Sequence, residues 1–321
     1  MKSIADELGV SISTVSRAFS HPELLSRERR EQILSVANRV GYQPNRTARG
    51  LATGQTSVLG LMVPDITNPF FPPLVRAAEN RANERGYALM LTDTDEHAER
   101  ERLLMRELTS RVDGLVVCSP RSASAPIKQV ATTRPVVLVN RTIPGLTSVT
   151  CSVEAGATAL MEHLRELGHR RVAYLSGPAS SWSDKDKRSC VQRAARRLRM
   201  TVDVLGPFPA TFEGGLSAAE QVAAQEVTAA LAYDDVMALG TIRGLRDQGL
   251  DVPGAVSVSG CDDVLFSSMT VPGLTTIAMP MALAGRTAVD LLLDQLEKSA
   301  RTQQVVLSSD FVPRASTGPA A

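Results

Sequence analysis

The chain has 321 residues, 43% of them apolar, and a formal net charge of +1, which is enough hydrophobic material for about two domains with proper cores and excludes a disordered polymer. Its four cysteines, Cys118, Cys151, Cys190 and Cys261, are scattered, which excludes the close pairs of a zinc site and the density of a disulfide scaffold and suits a reducing compartment. No N-terminal stretch reads as a signal peptide and no apolar run approaches the roughly 18 residues of a membrane span, so the expected location is the cytoplasm, with no membrane partner.

Charge is uneven along the chain. Residues 1-57 carry 8 Lys+Arg against 5 Asp+Glu, a net of +3, and the rest carries 27 against 29, a net of −2. A basic excess at one end suits a phosphate-binding module, and its modest size leaves specificity and dimerisation to supply much of the affinity. Within that end, "KSIADELGVSISTVSRAF" places a small residue, a turn glycine and an apolar plug at helix-turn-helix spacing. Ala5 lets a second helix approach, Gly9 can take φ > 0, and Val15 fills the crossing. Ser11 is a good N-cap for the second helix, which then presents Ile12, Ser13, Thr14 and Arg17 to a DNA major groove, Arg17 reading a guanine edge or a phosphate. By itself the pattern also fits any short helical hairpin. Ser26 opens a third helix, "RERREQILSVANRV", whose Ile33, Leu34, Ala37 and Val40 recur at helical spacing to cover the other two, and Gly41 stops it. The segment "NRTARGLATGQTS" is too short and polar for a stable isolated helix and lacks the composition of a passive linker, so it is expected to order on contact.

From residue 58 the period changes. "SVLGLMV", "ALMLT", "GLVVCS" and "VVLVN" are short β-rich runs separated by helical stretches, which predicts a parallel sheet with helices on both faces. A second series runs from "AGATALMEHLRELG" through "RVAYLSG", "VTAALAY" and "DVMALGTIRGLRDQG" to "AVSVSG". Two such lobes in tandem predict a ligand cleft between them, contacted by loops at the carboxyl ends of strands.

An enzyme has to be weighed against this sensor. No G-x-G-x-x-G turn follows a strand, there is no P-loop, and His21, His97, His163 and His169 show no metal spacing, so no cofactor or metal is expected. Asp234 with Asp235 and Asp262 with Asp263 read either as acid/base pairs or as carboxylates that accept hydrogen bonds from ligand hydroxyls without chemistry. The absent motifs favour binding over catalysis.

Taken together, "STVSR", "GYQPN" followed by "ARGL", "GLMVPDITNPFF", "RVDGLVV", "LGHRRVAYLSGP", "GCDD" and "PGLTTI" resemble the LacI/GalR family of bacterial transcription regulators over nearly the whole chain. The resemblance implies an all-α helix-turn-helix headpiece (1-44), a hinge helix and linker (45-57) and an α/β core (58-321) of two Rossmann-like lobes of the periplasmic-binding-protein type. It implies DNA contacts from Asn45, Ala48 and Leu51, with paired hinge helices entering the minor groove and Leu51 wedged between base pairs. It implies that the chain crosses back near Met279 to Met281, so that helix 282-298 joins the first lobe and "QVVLSSDFV" the second. In the cleft, Phe70 and Phe71 match first-lobe positions that stack on a sugar or purine, with capping of the first core helix as the alternative. Asp234 and Asp262 match positions that bond effector polar groups, and a helix cap is the alternative for Asp234. Trp182, in a polar loop, reads equally as ligand-facing or as surface.

Departures from the family pattern bear on the effector. The usual Val-Asp-Asn-Glu block is Cys151, Ser152, Val153 and Glu154, which loses two polar groups, and Lys187 stands where an arginine is usual, without its bidentate fork. The chain also starts at Met1 without the threonine that usually caps the first helix. The expectation is a homodimeric DNA-binding regulator, a repressor, acting on a roughly palindromic operator and modulated by a small sugar-like or nucleoside-like effector. The absence of a leucine-heptad tail after Ala300 favours a dimer over a tetramer. A regulator with a protein co-effector or no inducer, and a carbohydrate-binding or carbohydrate-processing protein, stay open. In the last of these residues 1-57 have no purpose.

Overall fold

A computed structural model describes residues 1-20, 24-42, 55-298 and 301-321, which divide into two compact units, Met1–Ser57 and Val58–Ala321. Asn45, Ala48 and Leu51, and His21, lie outside the described residues.

The first unit holds α1 (Lys2–Leu8), α2 (Ile12–Ser20) and α3 (Arg27–Arg39). Gly9 ends α1 at φ 63, where a side chain would be strained, and Val10 N–H returns to Ala5 O at 3.0 Å. Ser11 Oγ accepts from Thr14 N at 3.1 Å to cap α2, and Ser26 Oγ accepts from Arg29 N at 3.3 Å to cap α3. Met1 makes no side-chain capping bond to α1. Ile4, Ala5, Val15, Ala18, Ile33, Val36 and Ala37 form the buried core. One expectation fails here: Val36, not Val40, joins that core, Val40 being 47% exposed and Leu34 half-buried. The reason is local, because α3 ends at Arg39 and Val40 is its C-cap, so the apolar stripe runs past the end of the helix.

The second unit is built on two parallel sheets. The first lobe contains β1 (Val58–Val63), α4 (Pro72–Glu84), β2 (Ala88–Asp93), α5 (Ala98–Thr109), β3 (Gly114–Cys118), α6 (Ser124–Ala131), β4 (Val136–Val139) and β5 (Thr147–Ser152). The second contains α7 (Glu154–Glu166), β6 (Arg171–Leu175), α8 (Trp182–Arg197), β7 (Thr201–Leu205), α9 (Phe212–Ala223), β8 (Ala229–Ala232), α10 (Asp235–Asp247), β9 (Ser257–Ser259) and β10 (Thr276–Ala278). The chain then supplies α11 (Met281–Lys298), β11 (Gln304–Ser308) and β12 (Asp310–Val312). The sheet orders are β11-β5-β4-β3-β1-β2 and β7-β6-β8-β9, with β10 and β12 as an antiparallel pair.

Strand alternation sends neighbouring residues into opposite cores. Leu59, Leu61, Val116 and Val137 pack under α4 and α11, whereas Met62, Leu115, Val117 and Leu138 pack under α5 and α6. In the second lobe Ala173 and Ala230 face α9 and α10, and Val172, Tyr174 and Leu231 face α7 and α8. Helices α9 and α10 touch backbone to backbone, and a Cβ on Gly240 would stand 2.0 Å from Phe212 O.

Helix α11 packs in the first lobe, as expected, but "QVVLSSDFV" divides between the lobes. Gln304 to Ser308 pair parallel with Ser148 to Ser152 at the edge of the first sheet, and only Asp310 to Val312 cross over to pair with β10. The alternating, half-exposed pattern of β11 suits an edge strand with one solvated face. The chain therefore crosses between lobes three times, after β5, between β10 and α11, and between β11 and β12.

Candidate functional site

On α2, the outward face carries Ile12, which is 50% exposed, together with exposed Ser13 and Arg17. Thr14 is half-buried, and its hydroxyl is 2.8 Å from that of Ser11, which also meets the Ser13 hydroxyl at 3.0 Å. Val15 and Ala18 hold the opposite face in the core, so the first turn and Arg17 are left free to meet a groove.

In the core unit, a cavity of about 550 Å³ lies between the two lobes, at the carboxyl ends of β1, β3, β4, β6 and β8 and the loops that follow them. All six sequence-predicted cleft residues line it: Phe70, Phe71, Trp182, Lys187, Asp234 and Asp262. Phe71 stands at the N-cap of α4 and belongs to the buried core, while half-buried Phe70 meets it edge-on at 5.0 Å between centroids. Both rings thus line the cavity, Phe71 from the start of the helix and without a side-chain capping bond. Trp182 opens α8 and is 51% exposed.

The second-lobe wall is charged and buried. Lys187 Nζ donates to Tyr233 O at 2.8 Å and to Asp262 Oδ1 at 3.4 Å, and it lies 4.4 Å from the Tyr233 ring centroid. Asp262 is held at φ 134, a conformation that L side chains rarely adopt. Burial pushes its carboxyl above the usual range, against the pull of the Lys187 ammonium. Asp234 uses Oδ1 to accept from Met237 N at 2.8 Å, capping α10, and Oδ2 is buried with no partner. Burial raises its pKa from 3.8 to about 6, although the Met237 N–H and Lys187 act in the opposite direction.

The carboxylate pairs that invite an acid/base reading are split. Asp235 turns into the protein, where it accepts from Ser267 Oγ at 2.6 Å, Thr276 Oγ1 at 2.5 Å and Val264 N at 3.0 Å. Asp263 pairs with Arg314 at 2.6 Å. Each pair thus contributes one acid to the cleft and one to the fold.

Sequence reasoning missed Glu96, Arg121, Arg141 and Tyr233, which also line the cavity. Arg121 and Arg141 stand just beyond the ends of β3 and β4, so the strand-end rule already pointed at their loops. Arg121 is held by a bidentate contact to Glu96, with Nη2 at 2.8 Å from Oε1. Asp184, also missed, anchors α8 to β6 by accepting from Tyr174 Oη at 3.1 Å, Ser176 Oγ at 2.9 Å and Gly177 N at 2.8 Å.

His169 and the four cysteines are buried, with Cys151 on the wall of the cavity. His169 is buried between Thr228 Oγ1 at 2.7 Å and Gly318 O at 3.1 Å. All four cysteines are buried thiols, and burial pushes Cys118 and Cys151 up to about 12. Among the described residues no three His, Cys, Asp or Glu side chains gather as a metal site, and no helix is long and apolar enough to cross a membrane.

Comparison with known proteins places this arrangement. The family model described as bacterial regulatory proteins, lacI family, matches residues 1-45, and that of the periplasmic binding protein-like domain matches residues 161-317. The chain is 32% identical to the HTH-type transcriptional repressor CytR of Escherichia coli strain K12, over 92% of this chain and 89% of that protein. It is 29% identical to catabolite control protein A of Priestia megaterium, over 94% of each. Its structure is similar to that of the Lac repressor dimer bound to operator and the anti-inducer ONPF, with a TM-score of 0.85, 28% identity and 98% of each chain covered. It is also similar to a LacI family transcriptional regulator from Enterococcus faecium with bound ribose, with a TM-score of 0.73, 26% identity, and 82% of this chain and 100% of that one covered.

Proposed function

Because the chain belongs to the LacI family of bacterial regulatory proteins, we propose that it is a homodimeric, cytoplasmic repressor whose grip on a palindromic operator is set by a neutral sugar or nucleoside in the interlobe cleft. Ile12, Ser13, Thr14 and Arg17 read the major groove. Residues 45-57 act as the hinge between a headpiece of residues 1-44 and a core of residues 58-321, with Asn45, Ala48 and Leu51 on the DNA. Phe70, Phe71, Trp182, Lys187, Asp234 and Asp262 serve the effector, and the protein performs no catalysis.

The observation that carries the effector reading is Oδ2 of Asp234, a buried carboxylate oxygen without a partner on the wall of a 550 Å³ cavity. Leaving such an oxygen unsatisfied costs about 1–3 kcal/mol, which a ligand hydroxyl donating to it offsets. A dimer is supported by Leu265, Phe266, Met269 and Val271, large apolar side chains exposed together on one short segment of the second lobe.

The test has two arms. Selection of binding sites from a randomised DNA library should enrich a palindrome, and a folded protein that enriches nothing overturns the DNA arm. In a thermal-shift screen of neutral sugars and nucleosides, a ligand at 100-fold its dissociation constant should stabilise by about 2.7 kcal/mol. No shift across the panel overturns the effector arm and leaves a regulator with a protein co-effector or none.

A further inference from the structure

Two cavity-lining residues from opposite lobes touch each other directly. Arg141, in the loop after β4, places its guanidinium carbon 5.2 Å from the ring centroid of Trp182, the first residue of α8 and the chain's only tryptophan. Lys185, one turn along α8, places its ammonium 5.6 Å from the same centroid.

The two partners are held very differently. Arg141 is buried, with Nη1 donating to Pro120 O at 3.2 Å and to Ser122 O, and Nη2 donating to Ser124 Oγ at 3.2 Å. Its guanidinium is thereby fixed to the loop that carries Arg121, and its planar face remains available to an aromatic ring. Trp182 joins neither hydrophobic core of its own lobe. It follows Ser181, whose hydroxyl accepts from Asp184 N at 3.2 Å and so sets the start of the helix that bears Lys187.

We infer that Arg141 and Trp182 form a cation–π clasp that restrains the two lobes across the mouth of the cleft, separately from the three crossover segments. The clasp ties the loop of Arg121 to the helix of Lys187, so opening it separates the two walls of the cavity. Trp182 then acts as a positioning residue whose indole face is already taken by Arg141, and its emission reports whether the clasp is closed. A role in capturing effector rests on the cleft reading above, but the restraint itself is measurable with neither DNA nor effector present.

The experiment uses the full chain. Because all four native thiols are buried, spin labels can be directed to cysteines introduced at exposed Lys128 on α6 and Glu220 on α9, one in each lobe. Replacing Trp182→Ala in this background should lengthen and broaden the distance distribution measured by pulsed electron resonance. In a separate Arg141→Gln variant, the acrylamide quenching constant of Trp182 should rise about twofold. A distance distribution that superimposes on the parent's overturns the clasp, even where quenching rises, since the contact then restrains nothing. Should Arg141→Gln fail to fold, for want of its bonds to the 120–124 loop, the Trp182→Ala distances decide alone.

Discussion

Lys187 Nζ stands 3.4 Å from Asp262 Oδ1, and both side chains are buried at the wall of the cleft. The ammonium donates to this carboxylate, to Tyr233 O at 2.8 Å and to the Cys261 thiol, so its bonds are made within the wall. An arginine at this position would offer five donors in a fixed fork, so the pair narrows what the cleft can recognise.

Breaking that pair from one side leaves a buried charge uncompensated. Lys187→Met should destabilise the core by about 3–5 kcal/mol, and adding Asp262→Asn should recover much of the loss. Urea unfolding of both single variants and the double variant gives the coupling energy directly. Strict additivity would mean that the two groups do not interact.

Arg17 lies on the outer face of α2, away from the headpiece core. Arg17→Ala should weaken operator binding by roughly 1–3 kcal/mol, or about ten- to a hundredfold, with thermal shifts by cleft ligands unchanged. Fluorescence anisotropy with a selected operator makes the comparison, and equal affinities would remove Arg17 from the interface.

Asp234 predicts a pH dependence with a definite sign. Its pKa is raised from 3.8 to about 6, so the folded protein holds a proton that the unfolded chain has already released. Stability from this group is fully present below about 3.8 and is lost as pH rises through 6. Asp234→Asn keeps an oxygen for the Met237 N–H and cannot ionise. It should therefore gain on wild type by up to about 3 kcal/mol between pH 4 and pH 7.5, as read from urea midpoints. A hydroxyl-bearing ligand should bind wild type more tightly over the same rise in pH, as the accepting carboxylate forms.

Gly240 tests the contact between α9 and α10. Alanine is worth about 1 kcal/mol more than glycine in a helix interior, yet its Cβ would lie 2.0 Å from the Phe212 carbonyl oxygen. Backbone must move to admit it, at a cost of about 1–3 kcal/mol that outweighs the gain in propensity. A lowered melting temperature for Gly240→Ala is expected, and a raised one would show that the helices separate freely.

What was legible in the sequence was local. Gly9, Ser11 and Val15 act within a few residues of themselves, so spacing alone announced the turn, the cap and the plug. Val40 misled because a periodic stripe does not say where its helix stops. The assignment of "QVVLSSDFV" to the second lobe failed for residues 304–308, because nothing in that short run names the strand it borders, which lies more than a hundred residues earlier. Asp235 and Asp263 looked like halves of acid pairs because adjacency in sequence hides the opposite directions in which consecutive side chains leave a strand end. Arg121 and Arg141 went unnoticed because their partners lie far off in sequence: Glu96 meets Arg121 from another loop of the first lobe, and Trp182 meets Arg141 from the second lobe.

The triple crossing has a consequence for how the protein is made. The edge of the first sheet, β11, and the partner of β10 in the second lobe, β12, both come from the last segment of chain, residues 304–312. Neither lobe is a contiguous stretch of sequence, so the first cannot complete its sheet, nor the second its β10–β12 pair, while the ribosome still holds residues 304–312. Long-range pairing of this kind is slow and leaves strand edges open in the meantime. A nascent chain stalled near residue 300 would therefore carry a headpiece whose local contacts are all in place beside two unfinished lobes, able to meet DNA before it has a closed core to control that binding.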